Sequence, residues 1–262
     1  SLAIVVSRFL IPRDILEALV EGFRWDRTGR QYQTIDELCD YAARVASTVG
    51  AMMTLIMGVR DRDILERACE LGLAMQLTNI ARDVGEDARN QRLYLPREWL
   101  EAENIDPDTW LQNPVFNDAI SRVIQRLISH ADEMYERASY GIVGLPRNCR
   151  SAISAASLIY SEISRQIERQ GLDSISNRAV VSKRKKILLL LFINCSLQVF
   201  AQPLTVDHIM RDPKWMGTSP TNAFWSSDSK TVYFNWNPQK NTSDSLYAFS
   251  INGTAPEKAN SA

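Results

Sequence analysis

Apolar residues recur at helical spacing from residue 1 to about residue 190, and give way to alternation only beyond residue 229. Side chains three, four and seven apart share a helix face, whereas strand faces alternate residue by residue. Pro12 fits a helix start, and Ile15, Leu16, Leu19 and Val20 then repeat on one face. Thr34-Ile-Asp-Glu37 reads as a capping box that opens a long helix through Tyr41, Val45, Val49 and Met52. On that helix Ala46, Ser47, Gly50 and Ala51 predict a close approach by a neighbouring helix. Further helices are predicted from about Asp63 to Asp87, from Asn117 to about Tyr140 and from Arg147 to about Gln170. Ile153, Leu158, Ile159 and Ile163 form the apolar face of the last. No alternating run interrupts this stretch, so it reads as all-α.

The remainder has another character. Trp215, Trp225 and Trp236 stand among Asn, Ser, Thr and Pro, and both Ser229–Trp236 and Ser245–Ile251 alternate as strands do, the second closing on Asn252-Gly253. Trp225-Ser-Ser-Asp-Ser-Lys-Thr-Val-Tyr-Phe234 resembles a blade repeat of prolyl-oligopeptidase/dipeptidyl-peptidase propellers. Two strands alone are marginal in water, so such a piece lacks the neighbours it needs. Between the halves, Lys183-Arg-Lys-Lys186 precedes an apolar run from Ile187 to Phe200 and then Ala201-Gln202. A basic start, an apolar run of this length and a small residue describe a secretory signal peptide. The run is too short for a comfortable membrane span.

Composition narrows the class. The 262 residues are 45% hydrophobic and 23% charged, enough for a sizeable core. A formal net charge of -1 offers no nucleic-acid signature. Cys39, Cys69, Cys149 and Cys195 are dispersed without a C-x-x-C pair, which favours buried free thiols over a disulfide framework or zinc site. With His130 and His208 as the only histidines, histidine-based metal or triad chemistry is disfavoured. The chain opens with Ser inside an apolar run, Leu2-Ala-Ile-Val-Val6, which predicts a start within a domain.

The candidate chemistry lies in Gln76-Leu-Thr-Asn-Ile-Ala-Arg-Asp-Val-Gly-Glu-Asp87, followed by Arg92-Leu-Tyr-Leu-Pro96. Gln76, Asn79, Asp83 and Asp87 fall on one helix face, while Leu73, Leu77 and Ile80 point elsewhere. Two carboxylates at i and i+4 repel by a few tenths of a kcal/mol. A divalent cation reverses that: Mg²⁺ takes one or two carboxylates and completes its shell with water and substrate phosphate. A bare Asp-x-x-x-Asp more often marks a solvated face. The amides upstream, Arg82 in the same turn and the arginine-led segment downstream favour a metal-diphosphate site.

These residues resemble the squalene/phytoene synthase family, whose second aspartate-rich motif reads much like Asn79-Ile-Ala-Arg-Asp-Val-Gly-Glu-Asp87, in wording nearest to its bacterial phytoene synthases. The likeness extends over about residues 1–190 and includes Gly22-Phe-Arg-Trp-Asp26, Tyr41–Gly50, and Tyr160-Ser-Glu-Ile163 running on to Arg178. It implies an isoprenoid-synthase-type helical bundle, N-terminally truncated, with a short β-rich or poorly ordered C-terminal tail. It further implies head-to-head condensation of two prenyl diphosphates through a cyclopropylcarbinyl diphosphate, with geranylgeranyl diphosphate giving phytoene in carotenoid biosynthesis and no need of NADPH. By the same resemblance Asn79, Asp83 and Asp87 would ligate Mg²⁺ or Mn²⁺. Arg82, Arg92 and Arg178 would grip phosphate oxygens, Gln76 would position substrate, and Tyr41 and Tyr160 would stand near the diphosphates or the carbocation. The synthase half would be cytoplasmic or peripheral at the inner membrane face, with the prenyl diphosphate as its partner and no nucleic acid.

Three departures qualify the likeness. The family's first aspartate-rich helix has no counterpart in this sequence, so the chain alone is expected to be catalytically incompetent. Ser47 stands where a glycine is usual, and Gln91 where a glycine commonly precedes Arg92. Synthases of this type also end in a basic, leucine-rich helix, so residues 183–202 fit both descriptions. The expected organisation is a synthase-like domain at 1–190, an apolar junction resembling a signal-peptide core at 191–202, and a partial propeller-like fragment at 203–262. Such an order would arise by gene fusion or by faulty sequence assembly, the tail being secreted or periplasmic in its own context. The rival functions are a squalene or dehydrosqualene-type synthase acting on farnesyl diphosphate and, of another class, a fragment of a secreted propeller-bearing serine peptidase.

Overall fold

Side-chain caps set many of the helix starts. Thr34 accepts from the Glu37 N–H at 3.2 Å at the head of α3 (Ile35–Ala42), Asp61 from Asp63 and Ile64 at the head of α5 (Arg62–Arg89), and Asn117 from Ile120 at the head of α8 (Asp118–Ile142). Glu37 closes its box one residue further out than predicted, taking the Gln33 N–H at 2.7 Å. The remaining helices are α1 (Leu2–Phe9), α2 (Arg13–Thr28), α4 (Thr48–Ile56), α6 (Arg97–Ala102), α7 (Pro107–Gln112), α9 (Arg147–Arg169) and α10 (Lys183–Ser196). The computed structural model describes residues 2–196, 221–226, 231–236, 245–250 and 257–258. It divides into two compact units, residues 6–201 and residues 202–262 with residues 1–5.

In the helical unit α5 is central, packed against α4, α8 and α9. Leu77, Ile80, Ala81 and Val84 of α5 and Ile120, Ile124, Leu127 and Ile128 of α8 belong to one buried cluster. Full burial of such a Leu or Ile contributes about 1.5–3 kcal/mol, so this seam is a large part of the unit's core. The predicted long helix is interrupted by a π turn, Ala43–Ser47, in which the Thr48 N–H reaches back to the Ala43 carbonyl. The Thr48 hydroxyl donates to the Arg44 carbonyl at 2.6 Å, serving the backbone there. The small residues behave as predicted. A Cβ at Gly50 would meet the Ala68 carbonyl oxygen at 2.3 Å, and one at Gly72 the Ala46 carbonyl oxygen at 2.5 Å. Ser47 fits this crossing by turning its hydroxyl to the Cys69 carbonyl at 2.7 Å. Cys39, Cys69 and Cys149 are free and only half-buried, less enclosed than the sequence led us to expect.

The second unit holds an antiparallel sheet in the order β1 (Thr221–Trp225), β2 (Thr231–Trp236), β3 (Ser245–Ser250), β4 (Glu257–Lys258). Two of these are the predicted strands, with Thr231 opposite Ser250 and Trp236 opposite Ser245. The other two correct the expectation of an isolated pair. The Trp215 region and residues 197–202 of the predicted junction lie outside the described residues, and residues 191–196 belong to α10. No helix among the described residues is long and apolar enough to cross a membrane.

Candidate active site

The C-terminal half of α5 carries the predicted stripe, and the structure distributes it over two adjoining environments. Gln76 and Asn79 line a cavity of about 360 Å³ between the π turn, α4, α5, α8 and α9. Its walls are apolar, including Val45, Val49, Met53, Leu71, Met75 and Ile153, and Tyr160 of α9 lines it too. Asn79 Oδ1 is buried with no hydrogen-bond partner among the described residues, an acceptor whose desolvation is left uncompensated.

One turn on, Asp83 is gripped by arginines. Arg82 gives Nε and Nη2 to the two carboxylate oxygens at 2.9 and 2.5 Å, and Arg178 gives Nε to Oδ1 at 2.7 Å. Arg178 also lies 3.3 Å from Glu86. Burial pushes the Asp83 pKa up, but the two arginines outweigh it and hold the carboxyl below its ordinary value. Asp87 is placed differently. Burial first, and then the Asp83 charge, push its pKa up to about 7, with Arg92 opposing. Asp87, Arg92 and Tyr94 border one small cleft, and the Arg92 N–H is fixed to the Asp87 carbonyl at 2.9 Å. Gln91 takes the left-handed conformation there, at φ 59°, where glycine would be unstrained.

Tyr41 lies at the third corner, buried in an aromatic cluster that the sequence did not foretell. Its ring stacks on Tyr94 at 5.3 Å between centroids and contacts Tyr32 at the same separation. The Tyr94 hydroxyl donates to Asp26 of α2 at 2.8 Å. Arg30 and Arg44 lie over Trp25 at 3.8 and 4.2 Å, extending the cluster by cation–π contact. Burial, with Asp26 and Tyr94 nearby, pushes the Tyr41 hydroxyl far above its ordinary pKa, so it stays protonated. Both Asp26 and Tyr94 stand in quoted motif segments, yet nothing in their spacing announces that they meet.

These donors fit a cation carried in on a phosphate better than a free-standing metal site. An orphaned amide oxygen, two carboxylates and neighbouring arginines suit a metal-diphosphate. Among the described residues no group of three or more His, Cys, Asp or Glu side chains gathers to hold a metal alone.

Comparison with known proteins agrees with this geometry. A family model for squalene/phytoene synthase matches residues 1–185. Over 188 residues the chain is 50% identical to phytoene synthase of Cereibacter sphaeroides, covering 72% of this chain and 53% of that protein. Phytoene synthase of Rhodobacter capsulatus is 49% identical over 189 residues, with 72% and 56% covered. The chain thus spans little more than half the length of these relatives. Among solved structures, a dehydrosqualene synthase in complex with ligand superimposes with a TM-score of 0.68 at 30% identity, covering 76% of this chain and 70% of that one. Squalene synthase HpnC from Alicyclobacillus acidocaldarius, at 23% identity and a TM-score of 0.60 over 63% of each chain, shares the fold. The family model stops at residue 185, and the propeller likeness of the tail gains no support from these relatives. Over its helical part the chain belongs to the squalene/phytoene synthase family.

Proposed function

We propose that the helical half serves head-to-head condensation of two prenyl diphosphates, with geranylgeranyl diphosphate as substrate and phytoene as product. The observation that carries this reading is the stripe on α5, which leads from an apolar cavity at Gln76 and Asn79 to an arginine-held carboxylate at Asp83. A prenyl chain matches the cavity and its diphosphate matches the charged end. Asn79, Asp83 and Asp87 would hold Mg²⁺ or Mn²⁺ together with that diphosphate. When bound, the cation stabilises the negative charge that grows on the leaving diphosphate.

Apart from the carboxylates of the family's first aspartate-rich helix, the remaining roles fall to residues of this chain. Arg82 and Arg178 already point at Asp83 and can exchange a carboxylate oxygen for a phosphate oxygen, while Arg92 stands beside Asp87. The apolar walls exclude water from the allylic cation, and Tyr160 offers it an aromatic face. Gln76 orients substrate at the polar end of the cavity. Tyr41, held neutral in its stack, presents a fixed dipole rather than a charge. No NADPH enters this scheme. The synthase-like domain, residues 1–190, would act in the cytoplasm or at the inner membrane face.

Calorimetry with Mg²⁺, with and without a non-hydrolysable geranylgeranyl diphosphate analogue, tests the site. Metal uptake should require the analogue and should vanish in Asp83→Ala and Asp87→Ala; undiminished uptake in those variants would overturn the assignment. A second reading, condensation of farnesyl diphosphate, draws on the structural likeness to a dehydrosqualene synthase. Tighter binding of a farnesyl than of a geranylgeranyl analogue would favour it.

A further inference from the structure

The connection between α9 and α10 is fastened to α5 by its backbone at the point that brings Arg178 to Asp83. The Gly85 N–H, inside α5, reaches the Ser174 carbonyl at 3.0 Å, and Arg89 Nη1 donates to the Ile175 carbonyl at 3.1 Å. Ser174 and Ile175 are buried, at 4% and 7% exposure. Asp173 Oδ1 accepts from the N–H groups of Ile175 and Ser176 at 3.1 and 2.8 Å, curling the chain as it lands.

Gly85 has no room for a side chain. A Cβ there would lie 2.4 Å from the Ile175 oxygen, 2.7 Å from its Cα and 2.8 Å from the Ser174 oxygen. All three are backbone atoms, so no rotamer change relieves the clash. We infer that Gly85 is a positioning residue, the notch that seats the 171–182 connection on α5 and so delivers Arg178 to Asp83. The value of this to a diphosphate rests on the function proposed above, whereas the seating does not.

The Arg178–Asp83 pair is too weak to hold the connection by itself. The Arg178 side chain is 55% exposed, and an exposed ion pair by itself contributes little because ordering a long side chain costs entropy. Seating the Ser174 and Ile175 carbonyls on α5 spares the pair the further cost of ordering the backbone that carries Arg178. The guanidinium is then held within one side chain's reach of the stripe whether it pairs with Asp83 or with a phosphate oxygen.

Thermal melts and hydrogen exchange on the full chain, for R178A, G85A and the double variant, decide the matter. R178A should lower Tm by about 1–2 °C, as expected for a partly exposed pair, and should cost nothing further in the G85A background. Amides 174–176 should exchange faster in G85A and stay protected in R178A. Additive losses of Tm, or protection retained in G85A, would overturn the inference. If G85A does not fold, R89A, on the exposed rim of the same seat, is read instead: faster exchange at 174–176 supports the seat and unchanged exchange overturns it. Binding of inorganic pyrophosphate with Mg²⁺ separates the two readings. R178A and G85A should each weaken it by about tenfold or more without adding, as for one hydrogen bond to a charged group. Pyrophosphate binding indifferent to R178A, with the melt cycle still coupled, would remove the role of Arg178 in the proposed function and leave the seat standing.

Discussion

Tyr94 donates its hydroxyl to Asp26 at 2.8 Å and lays its ring on Tyr41, so one carboxylate of α2 fixes an aromatic stack at the end of the aspartate stripe. Asp26→Ala leaves a half-buried hydroxyl without its charged acceptor, a loss on the order of 1–3 kcal/mol. Urea denaturation should show that loss, with Asp26→Asn recovering most of it and Tyr94→Phe costing less. An unchanged midpoint in Asp26→Ala would mean that the stack stands without its anchor.

Asp87 should make the metal-free chain less stable as the solution becomes more alkaline. Its folded pKa, about 7, is raised by burial first and by Asp83 second above an ordinary value of 3.8. A raised pKa contributes stability that is complete below the unfolded value and lost as pH rises through the folded one. Asp83 works the other way: its lowered pKa contributes stability above the unfolded value that is lost as pH falls through the folded one. Melts in chelator between pH 5 and 8 should therefore show Asp87→Asn gaining on the unsubstituted chain as pH rises. A difference independent of pH would contradict the burial of that carboxylate.

Gly72→Ala should be among the most damaging single-methyl changes in the helical unit. The added carbon would meet the Ala46 oxygen at 2.5 Å and the Ser47 Cα at 3.0 Å, forcing α5 away from the π turn and opening the cavity wall. Overpacking of this kind costs about 1–3 kcal/mol. Chemical denaturation measures it, and a loss below about 0.5 kcal/mol would show that the helices separate freely.

Gln91→Gly should stabilise the chain. Gln91 sits at φ 59° and recovers only a long hydrogen bond, 3.4 Å, from its side chain to the Leu111 carbonyl. Relief of the left-handed strain contributes about 1–2 kcal/mol, offset by the greater freedom of glycine in the unfolded chain. The net gain expected in a denaturation curve is about 0.5–1 kcal/mol. A destabilised variant would show that the Leu111 contact matters more than the strain.

Local chemistry was the part of this molecule that its sequence made plain. Thr34 caps its helix where its neighbours said it would, because a cap is decided within four residues, and the helix predicted from Asn117 starts at Asp118 with Asn117 as its cap. The stripe from Gln76 to Asp87 was equally plain, since helix geometry alone puts those side chains together. Short α6 and α7 escaped, although Asp106 and Pro107 are a cap and a first-turn proline; six residues are too few to display a period. The π turn was hidden because its apolar spacing looks helical on both sides. Contacts between distant residues were not readable from spacing at all. Asp26 meets Tyr94 across 68 positions and Arg178 meets Asp83 across 95, and for the second the family likeness offered only that both would serve the diphosphate.

The π turn at Ala43–Ser47 gives the chain one more residue than the length of the rod requires. Each residue of a helix turns the next by about 100°, so that surplus sets the azimuth of everything before it against everything after it. Tyr41, on the near side, faces the aromatic stack, while Val45, Val49 and Met53 face the cavity. Deleting one residue within 43–47 would restore a regular helix and swing the tyrosine out of phase with the cavity wall, leaving both surfaces intact in composition but no longer aimed at the same end of α5. The relation between charged mouth and apolar pocket is thus set by a count of residues as much as by their identities.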